Sequence, residues 1–394
     1  MEQTLTAKLH ILPAESDMSL LIKTMKAYSL ACSYVAKYVS DHQMPLKQFK
    51  VQKETYDTCR SVFTLPSQMA VSVTRTVIAS YKTIQTMQAE HPDRFRKSKR
   101  NARIIPKFTT PQVSLVWNRD YSLVKDKVTG EMLFSVNTLN GRIKVSFYSN
   151  AMDWAFAPGS KFGTAKLVYK HGKFFLHVPV TKVVPDSPVP SAVKNVVGID
   201  RGIRFLASAY NSEGKTFLYS GRDVKRRRAH YKEVRAQLQK RRTPSSRRRL
   251  KAIGSRENRW MDDVDHCLSK ALVESQADST LFVLEDLTGI RGATERIKTK
   301  DRYISVSWAY YDLETKLMYK AARKGDAVIK VDPRYTSQTC PKCGHVEKAN
   351  RDHFKHIFKC CNCGYTSNDD RIAAMNLHRM GIEYLTQAQS SDKD

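Results

Sequence analysis

The chain has 394 residues, 41% hydrophobic and 27% charged, which is ordinary for a soluble globular protein and enough for two or three hydrophobic cores. Its 67 Lys and Arg against 38 Asp and Glu leave a formal net charge of +29, a self-repulsion that a polyanion relieves, nucleic acid being the usual one. No run approaches the roughly 18 apolar residues of a membrane span, and Met1-Glu2-Gln3-Thr4 lacks the start of a secretory signal, so a cytoplasmic, nucleoid-associated protein with no membrane partner is expected.

Thr4 to Leu12 alternates with β-branched residues and predicts a strand. From about Ser16 to Glu90 the spacing is helical, with Leu20, Leu21, Met25, Tyr28, Ser29 and Cys32 on one face and a second stretch from Ser67 to Met87. A basic segment follows, carrying Arg94, Arg96, Lys97, Lys99, Arg100 and Arg103. Residues 109 to 185 are β-rich with glycines at the turns, the spacing of a small barrel or curled sheet, whose aromatics Trp117, Tyr148 and Trp154 are expected in the core. Pro185 to Ser191 is a stiff, polar connector and the main domain boundary.

Beyond it, Asn195 to Asp200 is a buried strand ending in a carboxylate, with Phe205 to Tyr210 and Thr216 to Ser220 completing a meander. Arg222 to Ser275 is helical and intensely basic in its first half. Thr280 to Asp286 is a second buried strand ending in carboxylates, a helix runs from Trp308 to Arg323, and Ala327 to Asp332 is a third strand. A last helix spans Asp370 to Leu385, and residues 387–394 are expected to be disordered.

Five of eight cysteines lie close together. Cys340-Pro341-Lys342-Cys343-Gly344 and Cys360-Cys361-Asn362-Cys363-Gly364 are two C-x2-C knuckles, each followed by a glycine that lets the backbone turn. Together Cys340, Cys343, Cys360 and Cys363 supply a tetrahedral four-thiolate set, the geometry of one structural zinc ion. Cys361 is then a non-ligand, and His345, His353 and His356 between the knuckles face solvent or lie near substrate.

Three carboxylates stand at the ends of elements: Asp200, Glu285 and Asp370. An RNase H-like fold would gather such positions, from strand one, strand four and the closing helix. Two Mg²⁺ ions in such a site would activate a water and stabilise the leaving 3′-oxygen of a phosphodiester. The basic helix between the first two carboxylates, with Arg226, Arg227, Arg228, Arg241, Arg242, Arg247, Arg248 and Arg249, suits the phosphates of an RNA–DNA heteroduplex. Arg351, between the knuckles, is either a surface arginine or a contact to the scissile phosphate.

Val197-Gly198-Ile199-Asp200, Leu284-Glu285-Asp286-Leu287, the run Tyr335 to Gly344, and Asp370-Arg371-Ile372-Ala373-Ala374-Met375-Asn376-Leu377 closely resemble the TnpB (OrfB) family, as does the helix from Trp308 to Ala321. Compact type V CRISPR nucleases share these signatures. The resemblance covers roughly residues 195 to 380, the N-terminal half matching in layout alone. It implies a multidomain α+β protein: a wedge-like β-barrel (1–15 and 103–190), a helical recognition region (16–102), a RuvC-like nuclease domain (191–334 and 367–386) and an inserted four-cysteine zinc ribbon (335–366). It assigns Asp200, Glu285 and Asp370 as metal-binding catalytic residues. It also implies a transposon-derived guide RNA and cleavage of matching DNA, double- or single-stranded at the site, beside a short flanking motif. A monomer is favoured. A CRISPR-associated effector and a guided repressor with weak or no cleavage are the alternatives. The family's third motif reads D-x-N-A-A, whereas this chain has Ile372 at the Asn position, removing an amide that would bind backbone or a metal-bound water. Asp369 precedes Asp370, points about 100° away on the helix, and is expected to matter little.

Overall fold

The computed structural model describes residues 1–90, 92, 104–149, 152–287, 310–352 and 354–391. Contacts divide the chain into two units, Glu2–Val183 and Val184–Asp394 with Met1.

The first unit is α+β. Strand β1 (Glu2–Leu12) buries Ala7, Leu9 and Ile11 at alternate positions, as a half-buried strand must. Three helices follow, α1 (Glu15–Asp41), α2 (Gln48–Ser61) and α3 (Ser67–Glu90); α1 buries Leu21, Met25, Tyr28, Cys32, Val35 and Val39 along one stripe. Next come β2 (Gln112–Leu115), β3 (Tyr121–Lys125), β4 (Met132–Thr138), β5 (Gly141–Tyr148), a single turn α4 (Met152–Ala155), β6 (Lys161–Phe162), β7 (Ala165–Lys170) and β8 (Lys173–Val183). Strand order is β2-β7-β8-β1-β5-β4-β3, with β6 on β8, so β1 pairs antiparallel with β8 along almost its whole length. The end strands β2 and β3 do not pair as strands with each other, so of the small barrel or curled sheet expected it is the curled sheet, a half-barrel, that forms. Trp117 and Trp154 pack against the core, but Tyr148 is exposed, contrary to its expected burial. The basic patch at Arg94, Arg96, Lys97, Lys99, Arg100 and Arg103 lies outside the described residues.

In the second unit, β9 (Asn195–Asp200), β10 (Phe205–Asn211) and β11 (Thr216–Ser220) form an antiparallel meander. An α-hairpin follows, α5 (Arg222–Arg241) and α6 (Pro244–Glu274). The single long helix read from the sequence is broken at Arg242 (φ +52°), after which Thr243 caps α6 by accepting from the Ser246 N–H and Pro244 takes the first helical position. Then come β12 (Thr280–Glu285), α7 (Tyr310–Lys324), β13 (Ala327–Val331), the short strands β14 (Arg351–Asp352), β15 (Ile357–Lys359) and β16 (Thr366–Asn368), and α8 (Asp369–Ser391). Helix α8 continues through residues 387–391, which were expected to be disordered.

The main sheet of this unit has the order β11-β10-β9-β12-β13, with β12 parallel to both neighbours. Alternation sorts its two central strands between two layers. Val197, Ile199, Phe282 and Leu284 pack with Leu268 and Leu272 of α6 and Leu313 and Leu317 of α7. Val196, Leu281 and Val283 face the other way, onto Leu377 of α8. Side chains on alternate residues share a face, so Asp200 and Glu285 lie on the α8 side. The last registered pair is Leu284 with Ile199, which leaves Glu285 and Asp200 side by side at the strand ends.

Candidate active site

Helix α8 reaches that face through glycine. A Cβ on Gly198 would stand 2.2 Å from the Ala374 carbonyl oxygen and 2.3 Å from the His378 amide nitrogen. The V-G-I-D strand therefore has no side chain where the helix backbone crosses it. One turn earlier the helix begins. Asn368 Oδ1 accepts the N–H groups of Asp370 (3.1 Å) and Arg371 (3.3 Å), capping α8 and presenting Asp370 beside the two strand ends.

Asp200, Glu285 and Asp370 line one cleft of about 900 Å³, together with Arg204, Thr336, Arg351 and His356. Glu285 Oε1 accepts from Thr336 Oγ1 at 2.6 Å. Its backbone carbonyl accepts from Arg201, a buried side chain also paired with Glu314 at 3.0 Å. Burial, then the charges of Glu285 and Asp370, push Asp200 up to about 8. Burial raises Glu285 as well, against the Thr336 hydrogen bond. Asp370 is raised by burial and by Asp369. Its Oδ2 is buried without a hydrogen bond, the nearest cation being Arg204 at 3.7 Å. Three crowded carboxylates whose ionised forms are under-compensated, one with an orphaned oxygen, fit divalent cations.

The knuckles are near-copies of each other. Gly344 and Gly364 both have φ +72° and donate to the carbonyls of Cys340 (2.9 Å) and Cys360 (3.0 Å). The four sulfurs lie within 4.8 Å of one another, with Cys340–Cys363 and Cys343–Cys360 each at 3.6 Å. A metal–sulfur bond of ~2.3 Å gives a tetrahedral edge of about 3.8 Å, so the set fits one tetrahedral ion. Cys361 stands outside it.

Ile372 is fully buried among Cys340, Phe358 and Cys360, facing the knuckles rather than the cleft. The tie to the knuckles comes instead from Asn376, whose Nδ2 donates to the carbonyls of Thr336 (2.7 Å) and Thr339 (2.8 Å). His345 is paired with Glu347, His353 lies outside the described residues, and His356 lines the cleft.

The arginines fall into three groups. Arg241, Arg242, Arg247, Arg248 and Arg249 are exposed at the corner joining α5 to α6. Arg226 is exposed beside Asp223, and Arg227 lies over the Trp260 ring at 4.6 Å. Arg228 was expected to contact nucleic acid but is buried beside Glu257, which also pairs with Arg235. It is an internal counter-ion of the hairpin. Arg351 is in the cleft.

Comparison with known proteins finds relatives that share these features. The family model Cas12f1-like, TNB domain matches residues 310–377, and the model OrfB_IS605, described as a probable transposase, matches residues 177–288. A TnpB-like protein of Methanocaldococcus jannaschii is 27% identical over 226 residues, 54% of this chain and 80% of that one. The chain resembles the TnpB family. That family is related to the type V effectors: a CRISPR-associated endodeoxyribonuclease Cas12f1 of Syntrophomonas palmitatica is 30% identical over 211 residues, and the match spans 50% of this chain but 40% of that relative's length. In fold, the chain is similar to the protein in a cryo-EM structure of a Cas12f1-sgRNA-target DNA complex, with a TM-score of 0.59, 12% identity, and coverage of 96% and 98% of the two chains. The two matched segments contain all three carboxylates and all four clustered cysteines.

Thr336, Arg201 and Glu314 were not expected at the site, and Asp369 was expected to matter little there. Thr336 sits in the Tyr335-Thr336-Ser337-Gln338 run just before the first knuckle, the one sequence signal that pointed toward it. Arg201 follows a carboxylate on a buried strand and looks like a surface residue until its burial is seen.

Proposed function

We propose that the protein is an RNA-guided DNA endonuclease, with Val184–Asp394 carrying an RNase H-like, RuvC-type nuclease domain (191–334 and 367–386) and an inserted zinc ribbon (335–366). The strand order β11-β10-β9-β12-β13 supports that fold, since it sets the first strand beside the fourth. The curled sheet (1–15, 103–190) and the helices (16–102) form the wedge and recognition regions. The observation that carries the reading is the convergence of Asp200, Glu285 and Asp370, from three separated segments, in one cleft.

In this reading the three carboxylates hold two Mg²⁺ ions and the four cysteines hold one Zn²⁺. When bound there, Mg²⁺ would supply a nucleophilic water and charge stabilisation at the leaving 3′-oxygen. Thr336 orients Glu285 through its hydroxyl, Arg201 fixes the backbone at that strand end, and the Asn368 cap sets the direction of Asp370. The exposed arginines of the α5–α6 corner lie on the guide–target duplex and contact its phosphates, while base pairing reads sequence. Retention of all three carboxylates favours cleavage over a purely repressive role. Partners are a guide RNA and target DNA, with no membrane; no helix among the described residues is long and apolar enough to cross one.

RNA recovered from protein purified gently at low salt tests the guided part of this reading. A discrete, structured RNA species is expected; protein with the absorbance ratio of pure polypeptide and no RNA on a gel contradicts it.

A further inference from the structure

A fourth carboxylate stands behind the cleft. Asp369 has a fully buried side chain, and both of its oxygens are engaged. Oδ1 accepts the Asp370 N–H at 3.0 Å, and Oδ2 accepts the Arg351 Nε–H at 3.0 Å with His356 Nδ1 at 3.5 Å. The ligand atoms of His356, Asp369 and Asp370 lie close enough together to suggest a metal triad. The engaged oxygens argue for a different role.

Arg351 is the cation that matters here. Its charge acts on Asp200, Glu285 and Asp370 alike, lowering each. A guanidinium that near three under-compensated carboxylates would settle into a bidentate pair with one of them and take the place of an incoming cation. Among the described residues, its single hydrogen bond runs from Nε to Asp369, which leaves the two Nη groups free at the cleft edge. His356 is held beside it in a left-handed conformation (φ +54°), its carbonyl accepting from the Asp369 N–H and from Asn368 Nδ2, each at 3.4 Å. A non-glycine residue kept in that region by its neighbours is a mark of a constrained site.

We propose that Asp369 is a positioning residue: it anchors Arg351, and His356 beside it, at the edge of the cleft, keeping the guanidinium off the metal-binding carboxylates and turned toward a phosphate of the entering strand. This rests on the nuclease reading of the cleft.

The test is Mn²⁺ binding, followed by the electron paramagnetic resonance of free Mn²⁺ with the zinc-loaded full chain. It compares wild type, Asp369→Asn, Arg351→Gln and the double variant, with melting curves to check folding. Asp369→Asn should weaken Mn²⁺ binding roughly ten-fold as Arg351 falls onto the carboxylates. The double variant should return to wild-type affinity or tighter, because the invading cation is gone. Asp369→Asn binding like wild type, or a double variant as weak as Asp369→Asn, overturns the inference while leaving the nuclease reading intact. Should Asp369→Asn fail to fold, Arg351→Gln decides: with the cation gone it should bind Mn²⁺ as tightly as wild type or tighter, and weaker binding overturns the inference. A wild-type chain that binds no Mn²⁺ at millimolar concentration removes the metal site itself, and the inference with it.

Discussion

Substituting Gly198 by alanine adds a single methyl group, yet it should disable the site from a position that touches no substrate. The new Cβ would lie 2.2 Å from the Ala374 oxygen and 2.3 Å from the His378 nitrogen, both backbone atoms that no rotamer change can move. Restoring an ordinary contact of about 3.5 Å requires α8 to retreat by roughly 1 Å. The cost is about 1–3 kcal/mol of stability, typical of overpacking a filled interior. The larger effect is geometric, because α8 carries Asp370 while β9 carries Asp200. A shift of ~1 Å between ligands of one reaction centre costs about 10²-fold in rate. Urea denaturation and target cleavage by the RNA-loaded protein, measured side by side, should show a moderate stability loss and a much larger rate loss. A Gly198→Ala protein with wild-type stability and wild-type cleavage refutes the close approach of α8 to β9 and the account of how Asp370 is placed.

Metal analysis of protein purified without chelator should find one zinc per chain, and Cys343→Ser should lose it and open residues 335–366 to protease, since a metal site's binding energy is also folding energy. Changing Arg247, Arg248 and Arg249 together to Gln should weaken nucleic-acid binding and flatten its salt dependence by up to about three units of log–log slope, read from binding titrations at several salt concentrations. Asp265 is raised to about 7 by burial, with Lys316 and Arg228 lowering it and Asp312 and Asp262 raising it, and its Oδ1 is buried without a hydrogen bond. Folded Asp265 therefore holds its proton more tightly than the unfolded chain. Its contribution is full below the unfolded value of ~3.9 and is lost as pH rises through about 7. Asp265→Asn should flatten that decline and be more stable than wild type at pH 8, as urea melts at pH 5 and pH 8 will show.

The carboxylates were legible because each ends or begins an element whose apolar pattern is unambiguous: Val196–Ile199 and Leu281–Leu284 read as buried strands, and Asp370 follows a knuckle and opens a helix. The knuckles were legible from spacing alone. What stayed hidden depends on contacts between segments far apart in sequence. Arg228 looks like its neighbours in a basic run, and the partner that buries it, Glu257, comes into view once the hairpin is folded. The break in that hairpin was signalled by Thr243-Pro244, a cap followed by a first-turn proline, but the strong positive charge on both sides reads as one continuous helix. For Asp369, an offset of one residue on the helix did not reveal its neighbours: its carboxylate is buried against Arg351 and His356, close to that of Asp370. At Ile372 the apolar side chain looked like a lost amide, and it is part of the core behind the knuckles.

The central claim is that three carboxylates form one hydrolytic centre served by a guide. It is tested most directly by loading the full chain with its co-purified RNA and comparing cleavage and binding of matched DNA, in Mg²⁺, for wild type, Asp200→Ala, Glu285→Gln and Asp370→Ala. Each variant should lose cleavage while binding the target nearly as wild type does, since binding is spread over base pairs and many basic residues whereas hydrolysis needs every ligand in register. Wild-type cleavage by any one of the three variants, or DNA left intact by the wild-type complex, contradicts the account.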